Sequence, residues 1–213
     1  MKSLLALISI LFISASLAAS EPTTTTNRSC CVQLSPTATA QLTDNSLFHL
    51  DSTWTNDAAR PIKLVSFQGR PLVVTMFFSS CAYACPILVH DMKRIEASLP
   101  ENIRTNVGFV LISFDTDRDT PPVLAKFRAR HVLPANWTLL RGGTDDVLEL
   151  ASLLGIKFKK DARGDFAHSN VISLLDDKGE ILLQQIGLNR DPGTLSSAIE
   201  RLLPSAGVSE LRP

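Results

Sequence analysis

Leu72-Val73-Val74-Thr75-Met76-Phe77-Phe78 is an unbroken apolar and β-branched run bounded upstream by Gly69 and Pro71. Both faces are apolar, which predicts a strand buried on both sides. Behind Pro86, the residues Leu88, Met92, Ile95 and Leu99 recur at helical spacing until Pro100, so a helix with one apolar face follows that strand. Val107 to Phe114 predicts a second buried strand. Asp119-Thr120-Pro121-Pro122 opens another helix, with Asp119 or Thr120 as its cap and Val123, Leu124, Phe127 and His131 along it. Trp137 to Leu140 reads as a short strand, and Thr144 to about Leu154 as a helix closed by Gly155. Val171 to Leu175 and Ile181 to Ile186 flank Asp176-Asp177-Lys178-Gly179, a hairpin turn. Leu195 to Leu203 closes the body as a helix. Phe48 to Leu50 and Ile62 to Leu64 predict a short hairpin added before the core. The order β-α-β-α-β-α-β-β-α, with its first strands parallel through helical crossovers, is an α/β fold.

The first residues have a different pattern. Met1-Lys2, an apolar run from Leu4 to Ala18 and the small residues Ala18-Ala19-Ser20 form the three parts of a secretory signal. The run is roughly 15 residues, short of the ~20 that a membrane-spanning helix needs. Residues 1–20 are therefore expected to be a cleaved export signal, with an uncleaved membrane anchor as the alternative. Pro22, the Thr run from Thr23 to Thr26 and Ser29 mark residues 21–45 as a flexible tether. Residues 46–205 then form the folded domain and 206–213 a tail. Acidic and basic residues balance at 21 each, so no overall field attracts nucleic acid, and no nucleic-acid partner is expected. Membrane contact is expected only if the N-terminal segment is retained. Asn27-Arg28-Ser29 separates the apolar run from Cys30-Cys31, which argues against a lipid anchor there.

The four cysteines change the picture most. In an exported chain they would ordinarily form structural bridges, but Cys30 and Cys31 are adjacent and lie in the tether. Cys81 and Cys85 flank Ala82-Tyr83-Ala84 where the first central strand hands over to its helix, and this is how a thioredoxin-like fold presents its active site. A sulfur at a helix start meets unpaired N–H groups and the positive end of the dipole, so its thiolate is favoured. Three intervening residues, against the usual two of a redox pair, leave both sulfurs able to face one external ion without forbidding a disulfide. Thioredoxin-type enzymes also set a cis-proline beside the cysteines. Here no proline stands between Pro134 and Pro192, and Phe166-Ala167-His168-Ser169 precedes the strand that begins near Asn170. Two thiolates and one imidazole make a set suited to copper in either oxidation state and also to zinc.

Cys81-Ala82-Tyr83-Ala84-Cys85-Pro86, the stretch from Asp115 to Pro121, Phe166-Ala167-His168-Ser169 and Leu50-Asp51-Ser52-Thr53-Trp54 resemble the SCO/SenC family of copper-binding assembly proteins for cytochrome c oxidase. The likeness runs from about Ser46 to Pro192. It implies a thioredoxin-like fold and one copper ion, Cu(I) or Cu(II), per domain, held by Cys81, Cys85 and His168. It also implies delivery to the binuclear copper site of the oxidase's copper-bearing subunit, with another copper chaperone as donor. The protein would be exported, to the periplasm if the source is a bacterium, with a tether to the outer face of the inner membrane if the N-terminus is kept. The family usually has proline where Thr116 stands and aspartate where Ala167 stands; loss of that acid removes a partner for the histidine. Asp115, Asp117 and Arg118 are expected near the site as docking or supporting groups, or alternatively as an ion-paired, solvated helix start.

A thiol–disulfide reductase acting on the same oxidase subunit would also use Cys81 and Cys85, as a Cys81–Cys85 disulfide, but would not need His168. A peroxidase finds no support in the spacing. His90 reads as solvated, His49 belongs to the added hairpin, and His131 ends a helix, where a cation suits the dipole.

Overall fold

The structure, a computed structural model, describes residues 41–203 except residue 163. The expected export signal, Cys30-Cys31 and the tail lie outside these residues. Nine strands and five helices follow one another: β1 (Thr53–Asn56), β2 (Pro61–Lys63), β3 (Leu72–Phe77), α1 (Ala84–Ser98), α2 (Glu101–Arg104), β4 (Gly108–Ser113), α3 (Pro121–His131), β5 (Trp137–Arg141), α4 (Thr144–Leu153), β6 (Phe158–Lys160), β7 (Phe166–His168), β8 (Val171–Leu175), β9 (Ile181–Ile186) and α5 (Gly193–Leu202). Seven strands form one sheet in the order β2-β1-β5-β4-β3-β8-β9, and β6 and β7 form a separate hairpin. β3, β4 and β5 run parallel, while β8 pairs antiparallel with β3 and with β9. The unit β3-α1-β4, joined to the β8–β9 hairpin and α5, is the expected thioredoxin-like core.

All six residues of β3 and all six of β4 are buried, as strands covered on both faces must be. On one face Phe77 meets Phe127 of α3, with ring centroids 4.8 Å apart. On the same face Phe109 stacks on Trp137 at 5.1 Å, and Glu96 of α1 accepts the Trp137 Nε1–H at 2.9 Å. α1 and α3 share this face because both crossovers are right-handed. Leu150 of α4 covers Val74, Val110 and Ile112 on the other face. The core therefore lies on both sides of β3 and β4, and the strand ends that carry the site are held from above and below. No helix of the described residues is long and apolar enough to cross a membrane.

The added N-terminal hairpin has a different first arm from the expected one. Leu47–His49 is a 3-10 turn, in which the Ser46 hydroxyl accepts the Phe48 N–H at 3.1 Å. The hairpin instead pairs Trp54 with Ile62. Asn56 sets this register, because its Oδ1 accepts the N–H groups of Ala58 and Arg60 at 3.0 and 2.8 Å and closes the turn. Asp119 is not the cap of α3 either. Thr120 occupies that position, and the Asp119 side chain turns inward. The β6–β7 hairpin lies between Gly155 and β8, where the sequence predicts no element.

Trp54 is completely buried, and a Cβ on Gly142 would lie 2.6 Å from its ring. A rigid, enclosed indole has nowhere to move, so Gly142→Ala should destabilise the domain by about 1–3 kcal/mol. Urea unfolding of the two proteins checks this; an unchanged midpoint would show that the ring has room.

Candidate metal centre

Cys81 lies in the loop after β3, and Cys85 is the second residue of α1. Pro86 follows inside the first turn, where its missing N–H leaves no helical bond unmade. The Cys85 N–H donates to the Cys81 sulfur at 3.3 Å, so the Cys81 thiolate sits at the helix start. Its pKa is lowered to about 4, above all by a hydrogen bond from the Cys85 thiol and further by the N–H groups of Cys85 and Tyr83; burial opposes the shift. Cys85 is fully enclosed. Its pKa is raised, first by the bond to Cys81, then by burial, with the charges of Cys81 and Asp119 adding to both. The pair therefore shares one negative charge, carried on the more accessible sulfur. No disulfide joins the two cysteines.

His168 ends β7, opposite Phe158 of β6. Its Nδ1 lies 3.0 Å from the Ser169 carbonyl oxygen. A carbonyl only accepts, so in the neutral ring Nδ1 holds the proton and Nε2 keeps its lone pair. Nε2 lies 3.7 Å from the Cys85 sulfur. The Ser169 carbonyl thus supplies the orienting bond that a side chain at exposed Ala167 cannot. The imidazole packs 5.1 Å from the Phe114 ring and 5.9 Å from that of Phe78. Phe158 and Phe166 extend this aromatic wall, each about 5 Å from Phe114. The donor atoms of Cys81, Cys85 and His168 all lie within 4.8 Å of one another. An ion bonded at about 2.0–2.3 Å to each atom needs donors no farther apart than roughly 4.6 Å. The set fits a thiophilic metal after shifts of a few tenths of an ångström.

The other expected site residues do not reach the donors. Asp115 is buried and accepts from the Arg118 Nε, and Arg118 also donates to the Gly164 carbonyl. Asp117, exposed, pairs with Lys160 at 2.8 Å. Both pairs end on the β6–β7 hairpin. Of the remaining histidines, His49 lies 2.9 Å from the Thr43 carbonyl oxygen, and His90 is exposed on α1. His131 departs from its expected role as a helix-end cation: burial first, then Lys93 and Arg130, push its pKa down. Lys93 donates to the His131 carbonyl instead and brings the positive charge to that helix end.

Sequence reasoning missed Asp119 as an anchor. Its carboxylate accepts the Ser79 N–H at 2.9 Å and the hydroxyls of Ser79 and Ser113, which ties the ends of β3 and β4 to the start of α3. It also missed the aromatic wall, whose trace was Phe158 and Phe166 on either side of a polar turn containing Gly164.

The SCO1/SenC family model matches residues 40–204, and the chain belongs to that family. A Stutzerimonas stutzeri protein, named provisionally as a copper-binding protein, is 28% identical over 149 residues, 68% of this chain and 70% of that protein. Bradyrhizobium japonicum ScoI with copper bound superposes with a TM-score of 0.62 at 19% identity, over 71% of this chain and 97% of its own. BsSco, described as a member of the Sco family of cytochrome c oxidase assembly proteins with a disulfide switch, gives 0.60 at 22%, over 70% and 90%. These two structural likenesses show the shared fold.

The unequal sulfurs have a direct consequence in the reduced, metal-free domain. Iodoacetamide at neutral pH should modify Cys81 and spare Cys85 until the chain is unfolded. The ultraviolet absorption of the single thiolate should persist as pH falls and disappear only through a pKa of about 4. Equal labelling of both cysteines, or thiolate absorption already lost at neutral pH, would contradict this charge distribution.

Proposed function

We propose that this SCO1/SenC member binds one copper ion through Cys81, Cys85 and His168 and delivers it to the copper-bearing subunit of cytochrome c oxidase. The observation that carries the reading is the convergence of two sulfurs and one imidazole nitrogen within 4.8 Å, with the Nε2 lone pair turned toward the sulfurs. Thiolates suit cuprous ion, and imidazole adds the nitrogen that cupric ion prefers. The copper-bound ScoI structure and the provisional name of the Stutzerimonas relative support copper as the cargo. The description of BsSco supports oxidase assembly as the purpose. Tyr83, 74% exposed between the two cysteines, offers an aromatic contact at the mouth of the site for the protein that gives or takes the ion. Export by residues 1–20 would put this exchange outside the cytoplasm, in the periplasm if the source is a bacterium.

The unequal sulfurs favour a second use of the same pair. The Cys81 thiolate attacks one sulfur of a disulfide in the oxidase subunit, forming a mixed disulfide and releasing the other sulfur as a thiolate. Cys85, after giving up its proton, attacks the Cys81 sulfur. A Cys81–Cys85 disulfide forms, the second client thiolate leaves, and two electrons have passed to the client.

His168→Ala separates the two uses. The variant keeps both thiolates and should hold cuprous ion, while its cupric affinity and thiolate-to-copper absorption fall sharply and disulfide exchange changes little. Unchanged cupric binding would remove His168 from the site. Proton release gives a second check. Ligation by both sulfurs forces Cys85 to lose its proton, so cuprous binding at neutral pH should release about one more proton in the native protein than in Cys85→Ser. Calorimetry in buffers of different ionisation enthalpy measures this, and equal release would mean that Cys85 does not ligate.

A further inference from the structure

We infer that the loop from Asp115 to Asp119 is a spacer that sets the position of His168 relative to the cysteines, and that Arg118 is the positioning residue through which it acts. The inference rests on the copper reading above and names the residues that hold its third ligand in place.

The two halves of the site come from distant parts of the chain, Cys81 and Cys85 from the end of β3 and the start of α1 and His168 from β7. β6 and β7 pair only with each other. The hairpin is held to the rest of the molecule by the aromatic wall and by the loop between β4 and α3. At one end of that loop, the buried Asp119 takes the N–H and hydroxyl of Ser79, two residues before Cys81. At the other, Asp115 is fully buried and fixes the Arg118 guanidinium, accepting from its Nε and, at 3.3 Å, from its backbone N–H. From there Arg118 donates to the Gly164 carbonyl in the hairpin turn and lies over the Phe166 ring, 5.9 Å from its centroid. Lys160 reaches the same ring at 5.5 Å while paired with Asp117. One short loop therefore grips the strand end before Cys81 and the hairpin that ends in His168. Arg118 joins a buried carboxylate, a turn carbonyl and an aromatic face, a combination that suits a planar guanidinium.

Cuprous ion is satisfied by two thiolates, whereas cupric ion needs the imidazole, so loss of the grip should fall on cupric binding. Arg118→Ala is the direct variant. Because it leaves Asp115 buried and unpaired, the neutral pair Asp115→Asn/Arg118→Gln is measured beside it. In the variants that fold, cupric affinity should fall about 10- to 100-fold, with cuprous affinity unchanged within the error of titration. Adding His168→Ala should cause no further cupric loss beyond that of His168→Ala alone, within about 2-fold. In the metal-free protein, amides of the β6–β7 hairpin should exchange about tenfold faster, with those of β3 and β4 unaffected.

Unchanged cupric affinity with an equally protected hairpin would overturn the inference. So would additive losses in the combined variant, or a parallel fall in cuprous affinity and in β3–β4 protection, since these describe general destabilisation. Should His168→Ala itself leave cupric binding unchanged, the ligand reading fails, and hairpin exchange in the metal-free protein decides the spacer role alone.

Discussion

The hydrogen bonds that the Cys81 sulfur takes from Cys85, from its thiol first and from its N–H at 3.3 Å, are the contacts on which the site depends. They exist because the six residues between β3 and α1 set Cys81 at the helix start, so the first unpaired donors of the helix face the sulfur that precedes it. A thiolate there is held by directional hydrogen bonds, and its neighbour, bonded to that thiolate and buried, keeps its proton. The length of Ala82-Tyr83-Ala84 sets this asymmetry. The loop is long enough for the Cys81 sulfur to turn back over the helix start, and it leaves the Tyr83 ring outside.

Around those contacts the polar groups serve as fasteners. Asp119 has lost its water, and a buried carboxylate is tolerated only when its oxygens are occupied. Ser79 and Ser113 occupy them, which binds the ends of two parallel strands to one helix start. The negative charge also lies close enough to hold the Cys85 pKa up. The group that fixes the geometry of the cysteine loop therefore also helps decide which sulfur carries the charge. The phenylalanine wall around His168 has a comparable double effect: it excludes water from one side of the imidazole and packs the hairpin against the core.

The elements that the sequence made legible are those whose signal is continuous and local. β3 and β4 are apolar on both faces, α1 has its periodic stripe, and Asp176-Asp177-Lys178-Gly179 announces its own hairpin. The cysteine spacing and the absence of a proline before β8 pointed to the three residues whose donor atoms converge. Other features depend on what tertiary structure makes of ambiguous residues. Asp119 before two prolines looks like a helix cap, and only the packing of Ser79 and Ser113 against it turns it inward. β6 and β7 have three residues each, too few for alternation to stand out, and they hold together because Phe158 and Phe166 find Phe114. Phe48 and Leu50 have strand-like composition, yet Ser46 closes a turn over them and Phe48 fills the space beside Gly179. His131 illustrates the same limit: its place at a helix end was visible, but Lys93 was not visible as its rival for that role.

The unequal sulfurs also decide how a carrier of this design would let go. A site with two preformed thiolates would hold cuprous ion against nearly any acceptor. Here one of the two sulfurs is more stable as a thiol than as an anion, so protonation of Cys85 would compete with a metal throughout a transfer. If an acceptor drew the ion away, the buried sulfur would recover its proton and its bond to Cys81, and that recovery would offset part of the cost of breaking the copper–sulfur contact. The exposed thiolate would then remain with the ion to the end, on the side of the site where Tyr83 stands. Burial of one sulfur and exposure of the other would thus give a copper exchange a direction, with the enclosed sulfur releasing first and the accessible one last.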